Sequence, residues 1–282
     1  MRVGLVIHPR RDIEDALEIT RNWASGHRAH LGQVPITGQT RRVAELIDVA
    51  SCDVVMAVGG DGTALAALHA AAPATRPVLA VACGSIGVLT SVPAEHLPAA
   101  LDQLRAGRWE ERPVQALEIV LGHSEPRFAI NDFVAIRNGT GQVITKIHVD
   151  EELYVRMAGD GVVVATPLGS SAYTMAAGGP LLTPTVRGIV ITPLAEHGGV
   201  SPPLVVGPDT RLRLSVEPGY GGSRFEVDGQ ELAAEAHEAT VSLREEYASL
   251  VMLAEQEPFL SGLRRRGLVA DSPRILVRDA RS

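Results

Sequence analysis

Cysteine and aromatic residues are scarce in this 282-residue chain: it has two cysteines and an aromatic content of 4%. The two cysteines, Cys52 and Cys83, have no metal-ligand spacing. That excludes a disulfide scaffold and a cysteine-based zinc site, and the expectation is two buried, reduced thiols. With so few rings, the cores must rest on Val, Leu, Ile and Ala. Positive charge is in deficit, with 26 Lys and Arg against 33 Asp and Glu and a formal net charge of −7. Nucleic-acid binding through a general basic surface is therefore not expected. Long apolar runs are also missing. The two uncharged stretches, 77–94 and 161–186, are interrupted by Gly, Pro, Ser and Thr and read as buried strands joined by tight loops rather than membrane spans. The first residues lack the apolar core and small-residue cleavage site of a signal peptide. A soluble cytoplasmic protein with no membrane partner is the expectation.

What is present suits a globular protein of one large or two modest domains: 45% hydrophobic and 21% charged residues. Residues 2–7, 53–58 and 78–82 are short apolar runs that end at Pro or Gly. Between and after them, 12–24, 41–50, 63–71 and 93–105 read as helices. In the first of these, Ile13, Ala16, Leu17, Thr20, Trp23 and Ala24 fall on one face. Strands alternating with helices predict a parallel, Rossmann-like sheet covered on both faces.

After Gly107 the pattern changes to short strand-like runs separated by turn residues: 117–121, 128–136, 144–149, 153–157, 162–165, 189–192, 204–206, 211–216, 224–227, 239–243 and 249–253. Only 171–177 looks helical among them. This predicts an antiparallel, β-rich second part. The expected domains are 1–110, α/β with a phosphoryl-donor and catalytic loop; 111–255, β-rich and acceptor-binding; and a tail, 256–282, packing back on the first domain. Residues 258–266 read as a helix, and the run Arg264, Arg265, Arg266 as a solvated end.

The sharpest local signal is Gly59-Gly60-Asp61-Gly62-Thr63, directly after the apolar run 54–58. It places three glycines at the C-terminal end of a parallel strand, where open α/β sheets bind ligands. Glycine lets backbone approach a phosphate, and the following helix start offers open N–H groups. A carboxylate repels anions, so Asp61 is out of place in a purely anion-binding loop. It makes sense as the acceptor of a proton from an attacking hydroxyl. The plainer reading is a tight strand-to-helix turn capped by Asp61. Neither the P-loop pattern nor Gly-x-Gly-x-x-Gly is present.

This pentapeptide resembles the signature of the superfamily that holds NAD kinases, diacylglycerol and sphingosine kinases, and phosphofructokinases. Further matches point to the NAD kinase family: Asn131-Asp132, Gly159-Asp160-Gly161, the run Thr166-Pro167-Leu168-Gly169-Ser170-Ser171-Ala172-Tyr173, then Gly178-Gly179-Pro180, Thr192-Pro193-Leu194 and Asp228-Gly229-Gln230. They follow the family's order over nearly the whole chain.

The resemblance implies an N-terminal α/β domain and a β-rich C-terminal domain with the site in the cleft between them. It implies transfer of the terminal phosphoryl of ATP, or of polyphosphate, to the 2′-hydroxyl of the adenosine ribose of NAD. A divalent cation, Mg²⁺, would neutralise the donor phosphates, with no metal ligand assigned to the protein. In that scheme Asp61 is catalytic. Gly59, Gly60, Gly62 and Thr63 hold donor phosphates, and Asn131, Asp132, Asp160, Ser171, Ala172 and Tyr173 hold the acceptor. A homodimer or homotetramer is implied as well.

Read without the resemblance, these motifs are more ambiguous. Asn131 and Asp132 follow an apolar run, so they suit a strand-end turn as well as a grip on a ribose diol. Residues 161–173 carry no charge but four hydroxyls, Thr166, Ser170, Ser171 and Tyr173. That composition suits a nucleoside pocket and a core strand with a turn about equally. Asp160 is either a turn residue or an acceptor for a donor group on the ligand.

Several positions depart from the family pattern. Ala82-Cys83-Gly84-Ser85-Ile86-Gly87-Val88 lacks an Asn at Ala82 and an aromatic at Val88. Asp132 replaces Glu, Leu168 replaces a hydroxyl residue, and Pro202 replaces Arg. The departures lie where the acceptor is expected. Two alternatives therefore stand beside NAD: a related kinase acting on another nucleoside-like or polyol hydroxyl, and a non-catalytic nucleotide-binding sensor.

Overall fold

The computed structural model describes residues 1–84, 87–90, 92–232, 236–254 and 257–279. The chain divides into two compact units: Met1–Arg112 together with the stretch from Ala248 onward, and Pro113–Tyr247.

The first unit is α/β, as expected. Its strands are β1 (Arg2–Ile7), β2 (His30–Gln33), β3 (Val54–Gly59), β4 (Val78–Ala82) and the two-residue β5 (Val92–Pro93). All pairings among them are parallel, in the order β5-β4-β3-β1-β2. Every residue of β3 and β4 is buried, as in a parallel strand covered on both faces. On one face, Leu17 and Trp23 of α1 (Glu14–His27) join Leu97, Leu101 and Leu104 of α3 (Leu97–Arg105) in a core with Val3, Leu5, Met56 and Leu79. Each such leucine contributes roughly 1.5–3 kcal/mol by leaving water. Trp23 Nε1 donates to Asp102 at 2.9 Å, which ties α1 to α3. α2 (Asp61–Ala71) packs on β3 and β4 through Ala64, Ala67, Leu68 and Ala71. Those small side chains bring its axis close to the sheet. Cys52 and Cys83 are free, buried thiols, and burial pushes both above the ordinary thiol range.

The helix expected over 41–50 does not form. Gln33, 2% exposed, takes its backbone partners instead. Its N–H donates to Glu45 O at 2.7 Å, and its C=O accepts from Ile47 N at 3.0 Å. Its side chain donates to Arg41 O and accepts from Val43 N, each at 2.8 Å. These are the groups that a helical turn would have paired, so the segment runs extended beside β2 until the short turn Val49–Ser51. The edge strand β2 itself, with the sequence HLGQ, is too polar to stand out in the sequence.

The second unit is antiparallel. β8 (Asp132–Arg137), β11 (Gly161–Ala165), β12 (Ile189–Leu194), β13 (Leu204–Val206), β15 (Ser223–Val227) and β16 (Gln230–Leu232) form one sheet in the order β13-β12-β11-β8-β15-β16. β9 (Val143–Val149), β10 (Glu152–Gly159), β14 (Leu212–Glu217) and β17 (Glu238–Met252) form a second antiparallel path, β10-β9-β14-β17. β6 (Glu110–Leu121) and β7 (Arg127–Ala129) pair with each other. The core holds Phe133, Val162, Val164, Ile191 and Phe225 with Ile147, Leu212 and Leu214. The rings of Phe133 and Phe225 stack at 5.5 Å.

Two sequence expectations change here. The single strand expected at 128–136 is two strands, broken at Ile130 and Asn131. The Asp228 carboxylate takes the N–H groups of Ile130 (2.9 Å), Asn131 (2.7 Å) and Asp132 (3.2 Å), which stops them from pairing with a neighbouring strand. Conversely, 239–243 and 249–253 belong to one 15-residue strand, β17, whose end runs parallel to β4 through Leu250 and Val78. The helix expected at 171–177 is reduced to the turn Gly169–Ser171 and the four-residue α4 (Tyr173–Ala176). In the C-terminal stretch, α5 (Phe259–Arg265) forms as expected, and α6 (Pro273–Asp279) follows it. Among the described residues, no helix is long and apolar enough to cross a membrane.

Candidate active site

The glycine turn closes β3 and opens α2. Gly59 is the last residue of the strand, and Gly60, extended at φ −125° and ψ −169°, is the N-cap. Asp61 is the first helical residue, two positions earlier than the sequence pattern suggests. No side chain caps this helix; Thr63 N donates to Gly60 O at 2.9 Å, while the N–H groups of Asp61 and Gly62, without a partner among the described residues, stay open toward an anion. Thr63, 6% exposed, packs its hydroxyl against Gly59.

Asp61 is held from one side by backbone. Oδ1 accepts from Leu89 N (3.0 Å), Thr90 N (3.1 Å) and Thr90 Oγ1 (3.3 Å), and Oδ2 accepts from Val88 N (2.7 Å). Gly87 makes this approach possible, since a Cβ there would lie 1.8 Å from Asp61 Oδ1. Oδ1 is therefore saturated. Among the described residues Oδ2 has one donor, with room for another, because a carboxylate oxygen accepts about two. Val88, noted in the sequence for its missing aromatic ring, acts here through its main chain. Ser85 and Ile86 of the same segment lie outside the described residues.

The second group of expected residues lies within the second unit. Asn131 and Asp132 sit at the start of β8, where Asp228 has turned the chain. Asn131 gives its N–H to Asp228 and its C=O to Thr166 N at 3.0 Å. Its side-chain amide has no partner among the described residues. Tyr173, 38% exposed, opens α4, and its backbone N–H draws the Asp132 carboxyl's value down. Asp160 ends the turn between β10 and β11 and pairs with Arg137. Nearby, Arg224 Nε binds Glu226 at 2.6 Å. Burial, then Glu226 and Asp160, push the Tyr173 phenol above its ordinary value.

The hydroxyl-rich segment is used mostly for its own shape. Thr166 Oγ1 donates to Ile130 O at 2.6 Å and accepts from Gly169 N at 3.1 Å. Ser170 Oγ donates to Pro167 O at 2.6 Å and accepts from Leu182 N at 2.9 Å. Both residues are fully buried. Ser171 Oγ donates to Leu168 O at 3.0 Å. Gly169 lies against the main chain of Asn131, where a Cβ would be 1.9 Å from its carbonyl oxygen. Asp228, 96 to 98 residues from the three N–H groups it holds, is a positioning residue that the sequence marked within Asp228-Gly229-Gln230 without a role. Its signal was an Asp-Gly pair at a strand end, here with Asp228 at a left-handed φ of 49°.

Asp132 is 6% exposed, and its carboxyl is raised to about 7. Burial is the main cause and the Asp228 carboxylate the second, with the Tyr173 N–H opposing them. An acid with a raised folded value favours the fold while protonated. That contribution is complete below the unfolded value near 4 and is lost as the pH rises through about 7. Asp132→Asn stays neutral throughout. Its melting temperature relative to wild type should therefore climb between about pH 4 and pH 7. A constant difference over that range would mean that Asp132 titrates normally.

Residues 7–109 match the ATP-NAD kinase N-terminal domain and residues 130–253 the ATP-NAD kinase C-terminal domain. A NAD kinase from Heliobacterium modesticaldum is 34% identical over 245 residues, 81% of this chain and 84% of that protein. One from Caldanaerobacter subterraneus subsp. tengcongensis is 32% identical over 243 residues, 82% and 85% of the two chains. Among solved structures, yeast NADH kinase complexed with NADH aligns with a TM-score of 0.79 at 22% identity, covering 96% of this chain and 88% of that one. A NAD kinase from Archaeoglobus fulgidus in complex with ATP aligns at 0.74 and 21%, covering 95% and 97%. At those identities the two structures establish the fold, while the domain matches and the bacterial relatives establish the lineage: the chain belongs to the NAD kinase family.

Proposed function

We propose that this chain transfers the terminal phosphoryl group of ATP to the 2′-hydroxyl of the adenosine ribose of NAD, giving NADP, with Asp61 as the proton acceptor. The observation that carries the assignment is the acceptor capacity left on Asp61 Oδ2, which has one donor among the described residues, in a glycine turn whose helix has no side-chain cap. The 2′-oxygen attacks the terminal phosphorus, the bond from that phosphorus to the bridging oxygen breaks, and ADP leaves with the electron pair. The hydroxyl proton passes to Asp61 Oδ2. Gly59, Gly60, Gly62 and Thr63 shape the turn that receives the donor phosphates. The first domain thus handles the donor and the second the acceptor.

For the acceptor, Asn131, Asp132 and Tyr173 are the best placed groups. Asn131 has an amide without a partner among the described residues, Asp132 an ionisable carboxyl, and Tyr173 a partly exposed side chain. Ser171 and Ala172 shape the turn that precedes Tyr173, and Asp160 acts alongside Arg137. Among the described residues, no three His, Cys, Asp or Glu side chains are grouped to hold a metal ion. With Asp61 Oδ1 also saturated, this donor set fits a Mg²⁺ carried on the nucleotide's own phosphate oxygens. When bound there, the cation neutralises charge on the phosphates. A cytoplasmic homodimer or homotetramer completes the reading.

A second reading, another nucleoside-like or polyol acceptor, is favoured by Leu168, which brings no hydroxyl to the turn beside Asn131. ADP release measured with ATP, Mg²⁺ and a panel of NAD, NADH, nucleosides and polyols separates the two. NAD is expected to react fastest. A faster acceptor, with no product from NAD, would transfer the assignment to that compound.

A further inference from the structure

Arg11 lies outside the motifs quoted from the sequence, yet the fold lays its guanidinium beside the glycine turn. The path there is short. His8 continues from β1 and donates its N–H to Val58 O at 3.0 Å. Its ring nitrogen Nδ1 then accepts from both Arg10 N (3.1 Å) and Arg11 N (2.8 Å), which turns the chain back toward β3. Accepting twice at Nδ1 requires the proton on Nε2. Burial, then Arg11 and Arg10, lower the His8 value, which favours the neutral ring. The Arg11 carbonyl is fixed from the other side by Arg41 Nη1 at 3.1 Å, and Arg41 in turn pairs with Glu14 at 3.0 Å.

From this anchored backbone the side chain reaches Cys83 O, to which Nη1 donates at 2.7 Å. Nη1 also lies 3.3 Å from where a Cβ would stand on Gly60 and on Gly84. The guanidinium thus rests on bare backbone beside the N-cap of α2. A guanidinium carries five N–H donors. One of them serves Cys83, and among the described residues no carboxylate pairs with Arg11. An unpaired, exposed cation fixed at the edge of an open helix start is suited to an anion with several oxygens.

We infer that Arg11 is a donor-binding residue that grips a phosphate of the nucleotide with its remaining N–H groups while Nη1 stays on Cys83. Asp61 then faces the hydroxyl to be phosphorylated and Arg11 faces the phosphates, so acid and cation divide the turn between them. The inference rests on the kinase reading above. The two fail separately, because NADP formation by the wild-type chain tests that reading alone.

The test compares wild type with Arg11→Ala and Arg11→Gln. It uses steady-state kinetics with ATP and NAD each varied, together with calorimetric binding of ATP, ADP and AMP. Losing a charged grip on phosphate is expected to raise the KM for ATP by roughly 10- to 100-fold. The KM for NAD should move less than about threefold, and the binding advantage of ATP over AMP should collapse. Arg11→Gln keeps an N–H for Cys83 without the charge, so it gives the same reading if Arg11→Ala fails to fold. The inference is overturned if ATP affinity stays within about threefold of wild type in a folded variant. It is overturned equally if ATP, AMP and NAD all weaken together, which is the mark of a brace on Cys83 and nothing more.

Discussion

Replacing Asp61 by Asn is expected to lower turnover by about 10²–10⁴-fold, the usual loss when a general base is removed, while the protein remains folded. The substitution is not silent structurally. If the amide oxygen takes the place of Oδ1, it keeps Leu89 and Thr90 as donors. The new NH₂ then faces Val88 N–H, where a donor meets a donor. One unpaired N–H costs about 1–3 kcal/mol, so a lowered melting temperature should accompany the lost activity. Turnover at saturating ATP and NAD, measured where the variant is fully folded, separates the two effects. A folded variant with turnover within about threefold of wild type would leave Asp61 as an anchor for residues 88–90, with no part in proton transfer.

Asp228→Ala should be the most damaging change in the second unit. Three consecutive N–H groups, from Ile130 to Asp132, converge on this carboxylate, and alanine leaves all three without it. Water will hydrate some of them, so a loss of roughly 3 kcal/mol is expected rather than the full sum. The KM for NAD should rise at least about tenfold, because Asn131 and Asp132 take their positions from this bend. Asp228→Asn retains one acceptor oxygen and should fall between the two. It also removes the second cause of the raised Asp132 value, so Asp132 should titrate lower in that variant. Denaturant unfolding and NAD kinetics read these effects. Wild-type values for both in Asp228→Ala would show that the strand break at Ile130 and Asn131 is set by something else.

Where a pattern was carried by short-range chemistry, the sequence was legible. β1, β3 and β4 are unbroken apolar runs ended by Pro or Gly, and the glycine turn sits at the end of one of them. The β-rich second unit announced itself through short runs and frequent turn residues. What could not be read were polar contacts between distant residues. A buried glutamine, Gln33, draws 41–47 out of a helical pattern that its own side-chain spacing favours.

Asp228 breaks an apolar run that otherwise reads as one strand. The grip of residues 88–90 on Asp61 spans 27 to 29 positions, and little in Val88, Leu89 or Thr90 marks it, because three main-chain N–H groups do most of the binding beside the Thr90 hydroxyl. The hydroxyls of Thr166 and Ser170 looked equally fit for a ligand or for a turn, and burial within the turn decides between them. Arg11 carried no pattern at all, since its importance comes from where His8 turns the chain.

The most direct test of the account is the product made from NAD. The full chain, incubated with ATP, Mg²⁺ and NAD, should yield ADP and a dinucleotide heavier by one phosphoryl group. A dehydrogenase specific for NADP should accept that dinucleotide, which places the phosphate on the 2′-oxygen, and the Asp61→Asn chain should make almost none of it. A phosphorylated dinucleotide that the dehydrogenase refuses, or none at all from a folded, ATP-binding protein, would contradict the account.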